Sequence, residues 1–114
     1  MEDCLFCRIA TGDVEAELVH SSDEVLAFRD INPQAPVHIL LITREHIESV
    51  KGIRERHGKV LAELFQAAAH LAKANGVDRS GWRVVTNVGA DAGQSVRHLH
   101  FHLLGGRSMR WPPG

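Results

Sequence analysis

His98-Leu99-His100-Phe101-His102-Leu103-Leu104 sets three histidines at alternate positions of an otherwise apolar run. An extended chain sends successive side chains to opposite faces. The spacing therefore predicts a strand with His98, His100 and His102 on one face and Leu99, Phe101 and Leu103 in the core. Imidazole titrates near neutrality and can act as nucleophile, proton donor or metal ligand, so the row points to chemistry at phosphorus or carbon, or to a metal. At ~3.3 Å per residue the backbones of His98 and His102 stand about 13 Å apart, whereas zinc ligands lie ~2.0–2.1 Å from their ion. One metal held by all three rings is disfavoured, although an adjacent pair could supply two ligands. In the other reading the central His100 reacts while its neighbours orient it and hold anionic oxygens. Repulsion among imidazoles favours at least one neutral ring near pH 7, as a nucleophile needs. A merely polar sheet face is the alternative.

Upstream, Gly93-Gln94-Ser95 opens onto the row with backbone amides, a side-chain amide and a hydroxyl, the donor types a phosphoryl group requires. His38 lies in the apolar run Val37 to Ile42, where it is either a hydrogen-bonded core residue or, one strand over from the row, a group that orients a ring or carries a proton. Other strands are expected at Glu17 to His20, Val25 to Arg29 and Trp82 to Asn87. Asn32-Pro33-Gln34-Ala35-Pro36 forms a loop. Residues 53 to 75 carry the one long helix, with apolar side chains from Val60 to Ala72 at three- and four-residue spacing and Asn75-Gly76 as a left-handed stop. Strands, one helix, then strands predict an α+β fold: an antiparallel sheet of about five strands in one domain spanning residues 1–114.

The 114 residues carry a formal net charge of -1, with no basic run of the kind that binds nucleic acid. No apolar stretch is long enough to span a membrane, and the first residues lack the basic and apolar regions of a signal peptide, so a cytoplasmic protein is expected. Its two cysteines form Cys4-x-x-Cys7, which in a reducing compartment suggests metal binding or redox chemistry more than a disulfide. His20, His57 and His70 read as surface or helix-flank residues.

Together these residues resemble the histidine-triad (HIT) superfamily, whose motif His-x-His-x-His-x-x is matched from His98 to Leu104. Phe28 to His38 is similar to the family's nucleoside-binding portion, Gly93-Gln94-Ser95-Val96 to its phosphate site, and the ending Trp111-Pro112-Pro113-Gly114 to the nucleotide-binding HINT branch. The resemblance implies a HIT-like fold and a hydrolase of purine nucleoside phosphoramidates, adenosine 5′-phosphoramidates above all. His100 would be the nucleophile that forms a nucleotidyl-histidine. His102 and Ser95 would hold phosphoryl oxygens, Gln94 and Ser95 would lie near the leaving group, and His38, His98 or Ser95 would relay its proton. Asp30 would bind the ribose, with Ile31 near the nucleoside and Asn87 and Gly93 on the phosphate side. Asp30 also reads as a turn-capping carboxylate.

The implied mechanism requires no cofactor. By the same resemblance Cys4, Cys7, His46 and His98 would hold a structural zinc, the alternative being free cysteines packed beneath the sheet. The family also implies a homodimer with joined sheets, in which Trp111 of one subunit approaches the other's active site. A hydrolase or transferase for dinucleoside polyphosphates, a purine-nucleotide-binding scaffold, and a metal sensor are the rival functions.

Overall fold

The computed structural model describes residues 3–114; Met1 and Glu2, at the start of the expected 1–114 domain, lie outside the described residues. Five strands, β1 (Leu18–Ser21), β2 (Val25–Arg29), β3 (Val37–Thr43), β4 (Trp82–Val85) and β5 (His100–Gly105), form one antiparallel sheet in the order β1-β2-β3-β5-β4. The long helix α2 (Gly58–Ala74) covers one face, and a short helix α1 (Leu5–Thr11) lies towards the other. This is the expected α+β architecture.

Alternation along β3 and β5 divides the interior in two. Val37, Ile39, Leu41, Leu99, Phe101 and Leu103 pack with Leu64, Ala68 and Leu71 of α2. Leu40 and Ile42 point the other way, with Leu26 and Phe28 of β2, onto Phe6 and Ile9 of α1. Pairing of Leu40 with His102 and Ile42 with His100 places both histidines on the α1 face of the central strands. The imidazoles therefore stand on the most deeply buried part of the sheet.

The strand expected over Trp82 to Asn87 ends at Val85, and two larger departures from the sequence expectation bear on the site. The helix expected over residues 53 to 75 begins at Gly58, because Ile53 and Arg54 are extended and Glu55–His57 forms a separate 3-10 turn. His57 causes this break: its ring is buried, not on the surface, and its Nδ1 accepts the Arg54 N–H at 2.8 Å. His98 lies outside β5, in a bend over residues 96 to 98, where the Leu99 N–H donates to the Ile47 carbonyl at 2.5 Å. The bend turns the first ring of the row away from the other two. At the far end of α2, Gly76 takes the expected left-handed conformation, φ 76°.

No described helix is long and apolar enough to cross a membrane.

Candidate active site and metal centre

His100 is buried, and its Nδ1 lies 2.6 Å from the carbonyl oxygen of His98. A carbonyl only accepts, so Nδ1 carries the proton and the Nε2 of the neutral ring keeps a lone pair. Burial, partly offset by that carbonyl and by Asp30, lowers the ring's pKa, so His100 is neutral near pH 7. Phe6 packs edge-on against it, with ring centroids 4.9 Å apart.

The third histidine has the opposite polarity. The backbone N–H of Gln34 donates to Nδ1 of His38 at 3.0 Å, which leaves the proton of neutral His38 on Nε2. That Nε2–H faces Nδ1 of His102 at 2.9 Å, so the proton of neutral His102 sits on its own Nε2. Burial, then the neighbouring His100 and His38, push His102 down to about 4. Burial also lowers His38, against Asp30, whose Oδ2 lies 3.4 Å from its Nε2. Backbone contacts thus make two sequence-equivalent rings unlike: His100 offers an acceptor and His102 a donor.

Both rings line a cleft of about 240 Å³ with Leu5, Phe6, Ile9, Phe28, Asp30, Ile31, Leu40 and Ser95 among its walls. Asp30 also accepts the Asn32 N–H at 2.8 Å, the turn-capping contact its position suggested. Ile31 is 99% exposed at the rim. The cleft is mostly apolar with a few polar groups among its walls, the usual lining of a site for a small ligand.

Of the other predicted residues Ser95 lines this cleft, whereas Gly93, Gln94, Asn87 and Trp111 do not. The amide of Gln94 donates to the carbonyls of Glu48 and Val96 at 2.8 and 3.1 Å and accepts the Gly89 N–H at 3.0 Å, bracing its own loop. The backbone N–H of Gly93 and that of Gln94 close turns onto Ala90 and Gly89. Ser95 reaches the cleft, and its hydroxyl has no hydrogen-bond partner among the described residues. Asn87 follows β4, next to Thr86, whose hydroxyl donates to the His100 carbonyl at 2.7 Å. Trp111 lies at the β4 side of the sheet, 82% exposed and beside Arg83, and does not line the His100 cleft of its own chain. Phe28 opens the segment likened to the nucleoside-binding portion and does line the cleft, whereas sequence reasoning missed Leu5, Phe6, Ile9 and Leu40. The helical spacing of Phe6 and Ile9 behind a capping Cys4 was the available signal.

The ring of His98 faces the cysteines. Its Nδ1 is 3.3 Å from Cys4 Sγ and 3.5 Å from Cys7 Sγ, and Nδ1 of His46 is 3.3 Å from Cys7 Sγ. The four ligand atoms lie within 4.8 Å of one another. Tetrahedral zinc with Zn–S ~2.3 Å and Zn–N ~2.05 Å would separate sulfur from nitrogen by ~3.5 Å, so the donor set fits such an ion. Nε2–H of His98 donates to the Thr43 carbonyl at 2.6 Å, which leaves Nδ1 unprotonated and aimed at the thiols, the outer hydrogen bond a metal-ligating histidine usually makes. Burial, reinforced by Cys4, raises the Cys7 thiol to about 11 in the protein without metal.

Comparison with known proteins places these features in a family. The HIT domain model matches residues 11–109. The chain is 46% identical to the 14 kDa zinc-binding protein of Brassica juncea, covering 98% of this chain and all of that one. It is 45% identical to the adenylylsulfatase HINT1 of Arabidopsis thaliana, over 96% of this chain and 76% of the relative. The crystal structure of a HIT family hydrolase from Legionella pneumophila superposes with a TM-score of 0.96 at 46% identity, over 98% of this chain and 100% of that one.

Proposed function

This chain belongs to the HIT domain family, and from that premise we propose that it hydrolyses purine nucleoside phosphoramidates, adenosine 5′-phosphoramidates above all, through His100. The observation that carries this reading is the 2.6 Å contact between His100 Nδ1 and the His98 carbonyl, which leaves an unprotonated Nε2 on a buried, neutral ring beside a nucleoside-sized cleft.

In the first step Nε2 attacks the α-phosphorus. A nitrogen–phosphorus bond to His100 forms as the phosphorus–nitrogen bond to the amine breaks, and the departing amine takes up a proton from the relay at the cleft. In the second step water displaces His100 and returns a proton to the relay, giving the nucleoside monophosphate and restoring the neutral ring. The chain from Gln34 through His38 fixes His102 with Nε2–H outward, where it donates to a nonbridging oxygen whose charge grows in the transition state. His38 is committed to His102, and His98 to the thiol cluster. Ser95, with its free hydroxyl at the cleft, is the remaining member of the proton relay. Asp30 accepts from the ribose and Ile31 covers the base, while Gly93 and Gln94 brace the loop that brings Ser95 to the phosphate end and Asn87 stays outside the cleft. Cys4, Cys7, His46 and His98 hold zinc, which supplies a structural cross-link; the two displacements use imidazoles and amides. The working unit is a cytoplasmic homodimer of the 1–114 domain.

Early quenching of a reaction with an adenosine phosphoramidate should reveal an adenylyl adduct on His100 by mass spectrometry. His100→Ala should lower turnover about 10⁴-fold while AMP still binds. Full activity in that variant, with no adduct in the parent, would refute the mechanism. A second reading is favoured by the 45% identity to an adenylylsulfatase: sulfate could leave from the same α-phosphorus in place of an amine. Relative kcat/KM for adenosine phosphoramidate, adenylyl sulfate and a diadenosine polyphosphate ranks the three leaving groups.

A further inference from the structure

The thiol–imidazole cluster and the His100 cleft are contiguous, and α1 joins them. Cys4 caps the N-terminus of this helix, its Sγ accepting the Cys7 N–H at 3.4 Å. The next residues, Leu5 and Phe6, with Ile9 one turn on, line the cleft. Seven residues make too short a helix to persist by itself. Its attachments among the described residues include apolar packing of Phe6 and Ile9, with Cys4, Cys7 and Ala10 beside them, a hydrogen bond from Arg44 to the Ala10 carbonyl at 2.9 Å, and the polar contacts of Cys4 and Cys7 with histidines more than thirty positions away. The cluster is therefore the polar tether of the helix's first turn, the turn that carries Phe6 onto His100.

His98 makes a second link. Its ring faces the two cysteines while its carbonyl oxygen, 2.6 Å from His100 Nδ1, accepts the N–H of the nucleophile. A shift of that residue moves both the cluster and the imidazole that faces the substrate.

We propose that a metal ion in the Cys4, Cys7, His46 and His98 cluster and a nucleotide in the His100 cleft bind with positive coupling, carried by the first turn of α1. The metal draws the two thiols and two imidazoles onto a single centre and so fixes the wall against which the base packs. The nucleotide, packed between that wall and the sheet, holds the helix where its cysteines can reach the metal. Coupling between binding sites is reciprocal, so each ligand tightens the other by the same factor. The inference rests on reading the cleft as a nucleotide site.

Calorimetric titration of AMP into zinc-loaded and zinc-free protein is expected to show at least about five-fold tighter binding to the loaded form. Zinc affinity, measured by competition with a chromophoric chelator, should rise by the same factor at saturating AMP, after correction for zinc bound by free AMP. Phe6→Ala, which leaves all four ligands in place, should still take up zinc but bring the ratio close to one. If zinc-free protein does not stay folded, slower transfer of zinc from the loaded protein to the chelator when AMP is present supports the coupling, and an unchanged rate overturns it. Equal AMP affinity in loaded and zinc-free protein overturns the coupling while leaving the nucleotide site standing. Absence of AMP binding to either form removes the nucleotide reading and the coupling with it. A ratio undiminished in Phe6→Ala overturns the route through the helix.

Discussion

His100 and His102 are two residues apart on one strand, and a sequence motif treats them alike. Their hydrogen-bond partners separate them, since the His98 carbonyl can only accept and the Gln34 N–H, which acts on His102 through the single ring of His38, can only donate. The burial that keeps these rings neutral also makes stability depend on pH. His102 titrates at about 4 in the folded protein, against ~6.5 for an unperturbed histidine, with burial the largest cause. Between those values the unfolded chain binds more protons, so unfolding free energy rises with pH and this contribution is lost as pH falls from ~6.5 towards 4. His102→Gln, which cannot titrate, should narrow the difference between the melting temperatures at pH 7 and pH 5 measured by calorimetry. An unchanged difference would mean that His102 protonates normally in the folded state. His38→Ala removes the ring that orients His102 and should lower kcat about 10–100-fold, with a smaller effect on AMP affinity. A loss confined to KM would instead make His38 a purely structural residue.

At the scale of the elements, burial and periodicity coincide where a segment is long. The apolar stripe of α2 runs through Val60, Leu64, Ala67, Ala68 and Leu71, all buried, and its spacing was plain in the sequence. Leu64 is fully buried between helix and sheet, so Leu64→Ala should cost about 2–5 kcal/mol in urea unfolding, with an unchanged slope, whereas a cost below about 1 kcal/mol would mean that the site collapses around the cavity. Short elements were harder to read. Seven residues give α1 too few positions for a period to show, and its two inward residues, Phe6 and Ile9, follow a cysteine pair that suggested metal chemistry before helix capping. The start of α2 misled for a different reason. Ile53 fits the apolar spacing and packs on the core, but it does so from extended backbone, and only the buried His57, bonded to the Arg54 N–H, reveals the break. Similarly, the alternation of His98, His100 and His102 predicted one shared face. A backbone bond from Leu99 to Ile47, 52 positions earlier by residue number, turns His98 aside, and no local pattern encodes a contact at that distance.

For the whole molecule, the sheet ends at β4, which pairs with β5 alone among the described strands and leaves Trp82 37% exposed. A paired or covered edge is the usual condition of a stable sheet, and in the proposed homodimer a second copy, its sheet joined to this one, would cover this edge. Sedimentation equilibrium should then give twice the 12.6 kDa chain mass; a monomer at micromolar concentration would remove the dimer. Trp111 lies on this same side of the sheet and away from the His100 cleft of its own chain, so in the proposed dimer the cleft it would act on is its neighbour's. The distinction can be tested by subunit mixing. Deleting residues 111–114 should reduce kcat/KM several-fold for phosphoramidates of bulky amines and less for the unsubstituted one. His100→Ala subunits are inactive but keep their tails. When the two variants exchange subunits, each mixed dimer contains one active His100 that receives an intact Trp111 from its neighbour. If the tail acts in trans, discrimination between bulky and small amines should return per active site to the parent value as the His100→Ala protein is added in excess. Unrestored discrimination, with exchange verified by native mass spectrometry, would mean that the tail serves only the chain that carries it.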